Sequence, residues 1–492
     1  MASTVQFKLN PRVTVFRQNG GVYLFDAATR TCASMNEPML ALLTQQGDGD
    51  GRAAPLDERL QEMAEVAEQL HRLGILTRTD DTAGDLAQTS RNAPAATAQL
   101  AIFVTTKCNL RCAYCYANGG DTGKTIGRET WQLAMDYFFS TFLSGAKSAH
   151  LSIHGGGEAT VEFATLQEIV SDFLDRARAR NLRPSINMGS NGTYGEDVLR
   201  WVLDNNIGMN ISLDGPPETH NLLRPFRGGQ PSFDVVEGNL KALVAAGRRV
   251  SVRATVTDAS LDSMEETIRV ARQLGLSTVH FEPVSLAGRC ATTDMGRPDA
   301  DEFAAKFLQC YLRGLELDIN VTYSGMRCFA PSHERFCSAC GLNFCVTPDG
   351  EITTCFEVLE SGDPAASAFF IGKVDAVNGQ VTLDQERIES LKQRVTGNME
   401  ACQECFLKEQ CAGDCLVRSF RFSSGDIYTP DPYRCRIAEL INKQIIVWLA
   451  DGVIEHRQTG KEHVLSWNRA IAKEGDEYAR SGSSKYPRGF VQ

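Results

Sequence analysis

Three cysteines just after residue 105 are spaced closely enough to bind a single metal centre. Cys108, Cys112 and Cys115 form the pattern C-x3-C-x2-C. Three thiolates on one tight loop can bind three irons of a [4Fe–4S] cluster, which leaves the fourth iron open to another ligand. Taken alone, these residues leave two alternatives open, namely part of a zinc site or three buried thiols.

A second, denser set of cysteines lies near the C-terminus. Its members are Cys340, Cys355, Cys402, Cys405, Cys411, Cys415 and Cys435. Four of them follow the spacing C-x2-C-x5-C-x3-C, and the pattern G-x4-C ends at Cys355. A long stretch without cysteine separates the two sets, which predicts separate metal sites.

The bulk composition excludes several classes of protein. A chain of 492 residues predicts roughly three domains. The net charge of −11 argues against a nucleic-acid binder, which would show a basic face. There is no apolar run of about 18 residues and no signal-peptide pattern at the N-terminus. We therefore expect a cytoplasmic protein without a membrane partner, where clustered cysteines bind metal more often than they form disulfides.

Strands and helices alternate from residue 100 to about 284, which predicts an α/β fold with a parallel sheet. The candidate strands are 100–105, 149–153, 185–189, 208–213, 251–256 and 278–283. The candidate helices between them are 130–143, 166–179, 196–205, 233–246 and 264–274. Six such units fit either a partial (β/α)6 barrel or a doubly wound sheet.

The segments around this core predict further domains. Strands at 13–17 and 21–26, a short helix at 39–43, an amphipathic helix at 56–73 and a strand at 75–78 predict a small α+β, winged-helix-like domain over 1–80. Small polar residues predict a linker over 81–98. The core follows over 99–300 and a cysteine-rich domain over 301–440. A helix over 437–449 and a polar tail, expected to hold a packed helix, make up most of the last segment, 441–492.

Polar and glycine-rich segments follow successive strands of the predicted sheet. The first three cysteines follow the first strand, Gly156, Gly157 and Glu158 the second, Ser190 and Asn191 the third, and Ser212 and Asp214 the fourth. Active sites of such folds are built from loops at the C-terminal ends of the strands. We therefore expect these residues to meet at one site.

In this order, the motifs resemble those of the radical S-adenosylmethionine (SAM) superfamily. The resemblance implies that the open iron binds SAM through its amine and carboxylate, and that cleavage yields a 5′-deoxyadenosyl radical that abstracts hydrogen. It also implies the SAM-site residues Tyr114, Gly156, Gly157, Glu158, Ser190, Asn191, Ser212, Asp214, Arg224 and Val284.

The second set of cysteines resembles the SPASM domain, which holds two auxiliary [4Fe–4S] clusters. The resemblance implies that Cys340, Cys355 and Cys415 bind the first, and that Cys402, Cys405, Cys411 and Cys435 bind the second. Family spacing favours Cys337 as the fourth ligand of the first cluster, with Cys345 and Cys328 as alternatives. Two zinc sites are the alternative for the whole set.

The N-terminal segment resembles the recognition element (RRE) of enzymes that mature ribosomally made peptides. It implies a precursor peptide whose leader binds this domain. The resemblance to radical SAM enzymes implies a reductase such as flavodoxin or ferredoxin. The expected reaction is oxidative formation of a thioether or C–C bond.

The related sulfatase maturases provide the main alternative function. They place an aspartate directly after the cysteine of G-x4-C, where this chain has Phe356 and then Glu357. We take Glu357 as the candidate catalytic residue, with a salt-bridge role as its alternative. A non-catalytic, metal-stabilised binding protein is the other alternative.

Overall fold

The computed structural model describes residues 7–37, 40, 66–78, 99–143, 145–341 and 343–454, and the backbone of 464–466. In chain order the strands are β1 (Phe7–Leu9), β2 (Val13–Gln18), β3 (Gly21–Asp26), β4 (Thr31–Met35), β5 (Leu76–Arg78), β6 (Gln99–Phe103), β7 (Ser148–His154), β8 (Arg183–Ser190), β9 (Gly208–Ser212), β10 (Ser251–Val256), β11 (Thr278–Pro283), β12 (Asn320–Thr322), β13 (Phe344–Val346), β14 (Glu351–Thr353), β15 (Phe370–Asp375), β16 (Gln380–Leu383) and β17 (Val464–Ser466).

The helices follow the same order. They are α1 (Arg128–Thr141), α2 (Phe163–Ala179), α3 (Glu196–Asp204), α4 (Pro217–Leu223), α5 (Phe233–Ala245), α6 (Met264–Gln273), α7 (Ala300–Leu317), α8 (Ala366–Phe369), α9 (Gln385–Lys392), α10 (Lys408–Cys411), α11 (Leu416–Phe422) and α12 (Pro432–Ala450). Residues 66–72 are also helical. In the described part of the chain, no helix is both long and apolar enough to cross a membrane.

The chain forms two compact units. The smaller contains the described residues up to 78, residues 328–332 and the residues from 442 onward. The larger contains residues 99–327 and 333–441.

An eleven-stranded sheet organises the larger unit. Strands β6 to β11 lie side by side in chain order, each parallel to the next. A doubly wound sheet would reverse its strand order at a switch point, so the observed order is that of a partial barrel. Strand β12 extends the sheet beyond β11, and β13 pairs in parallel with β6 and leads into the antiparallel β14 to β16.

The strands alternate buried apolar and accessible polar residues, which determines where the core forms. On β7, Leu151 and Ile153 are buried, whereas Ser152 and His154 are partly accessible. Helix α2 buries Leu166, Ile169, Val170, Phe173 and Ala177 on a single face. The apolar core therefore lies between the sheet and the helices, and the polar face of the strands remains available for a site.

The six strands and five helices predicted for the core are all present, with ends that differ by a few residues. The apolar helix predicted over 437–449 lies within α12. The resemblance to a SPASM domain over 301–440 stays a prediction.

The smaller unit is built on a sheet of order β17-β4-β3-β2. The predicted hairpin β2–β3 is confirmed, with Asn19 and Gly20 at φ of 52° and 80°, as a tight hairpin turn requires. Strand β4 was not predicted. The predicted strand at 75–78 forms as β5 but pairs with β1 in a separate ribbon. The predicted linker, most of both N-terminal helices and most of the C-terminal tail lie outside the described residues, and the winged-helix type stays a prediction.

Candidate functional site

The loop after β6 carries the first three cysteines and is held against the loop that follows α4. The Arg111 amide donates to the carbonyl of Pro225 at 2.9 Å, and the Ala113 amide donates to that of Leu223 at 3.0 Å. The Arg111 guanidinium donates to the carbonyl of Gly119 at 2.8 Å. These bonds fold the loop into a compact turn whose three thiols share one cavity.

That cavity has a volume of 590 Å³ and lies where the parallel strands end. Its wall includes many of the predicted residues, namely Cys108, Cys112, Tyr114, Cys115, Gly156, Gly157, Glu158, Ser190, Asn191, Ser212, Arg224, Val284, Cys337, Cys355, Glu357 and Cys415. Among the predicted residues, Asp214, Cys340, Cys402, Cys405, Cys411 and Cys435 are not part of the wall. The cavity thus brings thiols from both cysteine sets to one space.

The surroundings of the first three thiols suit an iron–sulfur cluster. The Gly119 amide donates to Cys115 Sγ at 3.3 Å, and Asn191 Nδ2 lies 3.9 Å from Cys108 Sγ. Burial raises the pKa of the Cys112 thiol to about 12, and the nearby Arg224 acts in the opposite direction. Cluster thiolates are stabilised by such N–H donors and cations, so the residues present fit a cluster.

Gly157 marks the closest approach between the loop after β7 and the cysteine loop. A Cβ at this position would lie 2.0 Å from the Lys107 carbonyl oxygen. The next residue, Glu158, donates its amide to the same carbonyl at 2.8 Å. Only glycine allows the two loops to meet here.

Replacing Gly157 with alanine is therefore expected to destabilise the fold by about 1–3 kcal/mol, because the two backbones must separate. The thermal unfolding midpoint measures this effect. Gly123→Ala is the control, since a Cβ there meets nothing within 4 Å. Equal midpoints for the two variants would contradict the close approach.

Glu158 is a buried carboxylate with a complete set of donors. Its Oε1 accepts from Ser190 Oγ at 3.0 Å and from Thr160 Oγ1 at 2.8 Å, and its Oε2 accepts from the Asn191 amide at 2.7 Å. Burial raises the pKa of Glu158, whereas these hydrogen bonds lower it. The carboxylate is fixed in the cavity wall, where it can accept a bond from an amine.

Tyr114, Asp214 and Arg224 form a buried network that joins the cysteine loop to the end of β9. Tyr114 Oη donates to Asp214, and the Arg224 guanidinium donates to Tyr114 Oη. Asp214 Oδ1 also accepts from the Thr255 amide at 2.9 Å. Asp214 therefore supports the site from behind the wall, while Arg224 reaches the cavity.

Glu357 lies in the cavity wall but is tied into ion pairs. Its carboxylate accepts from Arg418 at 3.1 Å, from Arg421 at 3.3 Å and from Ser285 at 3.2 Å. Burial alone would raise the pKa of Glu357, but the two arginines bring it below its usual value. A carboxylate held in this way is a weak proton acceptor. Its catalytic role stays a prediction, and these ion pairs argue against it.

Cys337 lies beside three thiols of the second cysteine set. The thiols of Cys340, Cys355 and Cys415 are electrostatic neighbours of Cys337. Burial raises the pKa of Cys337 to about 11, and the adjacent Cys340 contributes to the rise. Cys337 lines the cavity beside Cys355 and Cys415, which favours it as the fourth ligand of this group.

Of the other two candidates for that fourth ligand, Cys345 is also an electrostatic neighbour of Cys337, whereas Cys328 has no such neighbour in this group among the described residues. Cys345 belongs to β13 and packs in an apolar cluster with Ala101, Phe103 and Leu359. Cys328 belongs to the smaller unit, where Cys32 is its neighbour. Both are buried thiols within packed regions.

The remaining four thiols form a second group outside the cavity. Burial raises the pKa of Cys435 to about 12, and Cys402 and Cys405 are among the neighbouring groups that add to the rise. Cys411 has Cys405 and Cys435 as neighbours. These neighbours belong to the two predicted ligand sets, and their role as cluster ligands stays a prediction.

Arg394, which the sequence did not single out, organises the C-x3-C loop that links the two groups. It is fully buried and donates to the carbonyls of Gly413, Asp414 and Ile427 at 2.6, 2.9 and 2.8 Å. Three successive residues of this loop adopt the left-handed backbone conformation, with φ of 53° at Ala412, 79° at Gly413 and 58° at Asp414. The guanidinium therefore fixes an otherwise unfavourable loop conformation.

Arg394 also lies between the two thiol groups. Burial lowers its pKa, and Cys337, Cys402 and Cys415 are among its electrostatic neighbours. The sequence contains no motif for such a residue, because its partners are backbone carbonyls. A lone arginine eight residues before a C-x2-C pair is the only available signal.

Comparison with known proteins shows what this part of the chain is similar to. Residues 102–278 match the model of the Radical SAM superfamily. An uncharacterised protein of Methanocaldococcus jannaschii is 28% identical over 185 residues, which are 37% of this chain and 61% of that protein. The sporulation killing factor maturation protein SkfB of Bacillus subtilis is 27% identical over 35% of this chain and 39% of its own length.

A cysteine-type anaerobic sulfatase-maturating enzyme of Clostridium novyi is 28% identical over 28% of this chain and 37% of its own length. The chain thus matches less than two thirds of each of these relatives. Among solved structures, that of anSMEcpe with bound AdoMet superimposes on this chain with a TM-score of 0.56 and 17% sequence identity. The superposition covers 72% of this chain and 99% of the anSMEcpe chain. This likeness shows a shared fold.

Proposed function

We propose that this chain is a radical SAM enzyme that oxidatively modifies a ribosomally made precursor peptide, because residues 102–278 match the model of the Radical SAM superfamily. One observation carries the proposal: a single cavity is lined both by the thiols of the first cysteine loop and by Cys337, Cys355 and Cys415. A substrate in this cavity would lie between the site of radical formation and a second redox centre.

In this proposal the chain holds three [4Fe–4S] clusters. Cys108, Cys112 and Cys115 hold the first, which leaves one iron open for SAM. Cys337, Cys340, Cys355 and Cys415 hold the second, and Cys402, Cys405, Cys411 and Cys435 hold the third. SAM bound to the reduced first cluster supplies hydrogen-atom abstraction from a carbon of the substrate.

The residues of the wall bind and orient SAM. Glu158 accepts a bond from its amine, and Ser190 and Asn191 keep that carboxylate in place. Arg224 provides a cation beside Cys112, and its Nε is buried without a partner among the described residues. Ser212 and Val284 line the same wall and are assigned to SAM contacts.

Several observations support a peptide as the substrate. SkfB is by name a maturation protein, and the clostridial relative is a sulfatase-maturating enzyme, so both relatives act on polypeptides. The cavity of 590 Å³ lies in the size range of ligand-binding pockets. The smaller unit contains a β-sheet. We propose that the leader of the precursor peptide binds there as an additional strand at the edge of this sheet.

The bond formed is a thioether or a C–C bond, and the reaction removes two hydrogen atoms from the peptide. One hydrogen would leave as an atom and the other as a proton and an electron. The cysteines of the two auxiliary groups would hold clusters able to accept that electron, and a flavodoxin or ferredoxin would supply the electron for SAM cleavage. Sulfatase maturation is the second candidate because of the clostridial relative. Phe356 in place of an aspartate, and the ion pairs of Glu357, weigh against it.

Co-expression tests this function. The chain is produced together with each short peptide encoded next to its gene, and the peptides are analysed by mass spectrometry. We expect a peptide that has lost two hydrogen atoms and contains a crosslink that survives reduction. Formylglycine in a sulfatase peptide, with the neighbouring peptides unchanged, would favour the second candidate instead.

A further inference from the structure

The arginines of the cavity wall differ in how they are paired. Arg224, Arg253, Arg418 and Arg434 all line the cavity. Arg224 donates to Tyr114, Arg418 to Glu357, and Arg434 to Asp414 and Glu282. Among the described residues, the Arg253 guanidinium makes no hydrogen bond, and its nearest carboxylate, Glu282, is 4.0 Å away.

That neighbouring carboxylate is already occupied. Glu282 accepts from Arg434 at 2.6 Å and from Ser324 at 2.9 Å, and His280 Nε2 lies 3.0 Å from its other oxygen. Burial alone would raise the pKa of Glu282, but Arg434, His280 and Arg253 hold it well below its usual range. The oxygens of Glu282 therefore accept from other groups, and the Arg253 guanidinium, although it forms an ion pair with Glu282 at 4.0 Å, keeps its own donors free of hydrogen bonds among the described residues.

Among the described residues, the other groups near Arg253 accept no hydrogen bond from its guanidinium either. Glu357 is shared by Arg418 and Arg421. His154 stacks on Phe356 with ring centroids 4.4 Å apart. Burial, together with the charge of Arg253, lowers the pKa of His154 to about 4, so the imidazole is neutral at pH 7. The cation thus faces the cavity with its donors free.

The position of Arg253 on the sheet directs it toward a bound substrate. On β10 it lies in register with Ser212 on one side and His280 on the other. Its side chain is 48% exposed, although the cavity surrounds it. A guanidinium that keeps its donors free in a concave site is suited to bind a carboxylate through two parallel hydrogen bonds.

We infer that Arg253 binds a carboxylate of the substrate peptide, either an Asp or Glu side chain or the C-terminal carboxylate. The inference rests on the proposed function, since it names the chemical class that the cavity selects. It predicts a substrate with an acidic group near the modified residue.

The probe is a random hexapeptide library. One half of the library has free C-termini, and the other half has amidated C-termini. The reconstituted, SAM-loaded protein is incubated with it under anaerobic conditions, and bound peptides are recovered by gel filtration and sequenced by mass spectrometry. We expect acidic peptides to be enriched about tenfold over neutral ones, the effect of one charge-assisted pair. Enrichment of acidic over neutral peptides in both halves identifies the side chain as the source, whereas enrichment of free over amidated peptides, whatever their side chains, identifies the terminus.

Arg253→Gln is expected to abolish this enrichment, and Arg253→Lys to reduce it. Arg200→Gln is the control, because it removes the same charge from an exposed position on α3. This variant should retain the enrichment of acidic peptides. Iron content and SAM affinity are measured in parallel and should not change. Equal enrichment in wild type and Arg253→Gln, or weaker SAM binding in that variant, would overturn the inference. If the wild type binds no peptide, the proposed function itself fails.

Discussion

Replacing Cys108 with alanine is expected to abolish formation of 5′-deoxyadenosine and to remove about four irons per chain, while both auxiliary clusters remain. Two thiolates cannot hold the first cluster in its place, and SAM then loses its iron ligand. The measurement combines an iron count with chromatography of the products after SAM and dithionite are added anaerobically.

Cys345→Ala is the matched control for that variant. It also removes one buried thiol, but from the apolar cluster around β13. We expect it to retain its iron and its SAM cleavage. Cleavage that persists in Cys108→Ala would remove the basis for assigning SAM to this loop.

Replacing Arg394 with methionine is expected to lower the iron content from about twelve toward about four per chain. Methionine has a similar length but no donors, so the buried carbonyls of Gly413, Asp414 and Ile427 would lose their partner. Each buried acceptor left without a donor costs about 1–3 kcal/mol. The loop then relaxes from its left-handed conformation, and both auxiliary clusters lose a ligand, Cys411 in one case and Cys415 in the other.

Arg394→Lys retains the charge but not the planar set of donors, so it should retain an intermediate amount of iron. Arg387→Met is the control, because Arg387 also donates to a backbone carbonyl, that of Phe370, but is partly exposed. In all three variants the first cluster should still cleave SAM. Full iron content and unchanged electron paramagnetic resonance signals in Arg394→Met would refute the role of this residue.

The parallel core was predictable because its signals are local. Strands such as β7 and helices such as α2 show their periodicity within a few turns of chain. The motifs follow the strands, and parallel strands bring their C-terminal ends together. Glu158 and Asn191 therefore meet at the cavity, as expected from the sequence.

The rest depends on contacts between distant residues, which no local pattern encodes. Strand β13 has only three residues, and its pairing with β6 joins segments more than 240 residues apart. The ion pairs of Glu357 come from Arg418 and Arg421, about 60 residues away. Arg394 binds backbone carbonyls, which every sequence provides. These features define the electrostatics of the site, and they became visible only in the structure.

The central claim is that one chain holds three clusters and uses the first to cleave SAM. The most direct test is anaerobic reconstitution, followed by iron and sulfide analysis and by addition of SAM and dithionite. We predict about twelve irons per chain and 5′-deoxyadenosine that depends on Cys108, Cys112 and Cys115. Stoichiometric zinc in place of iron, or no cleavage by the fully loaded protein, would contradict the account.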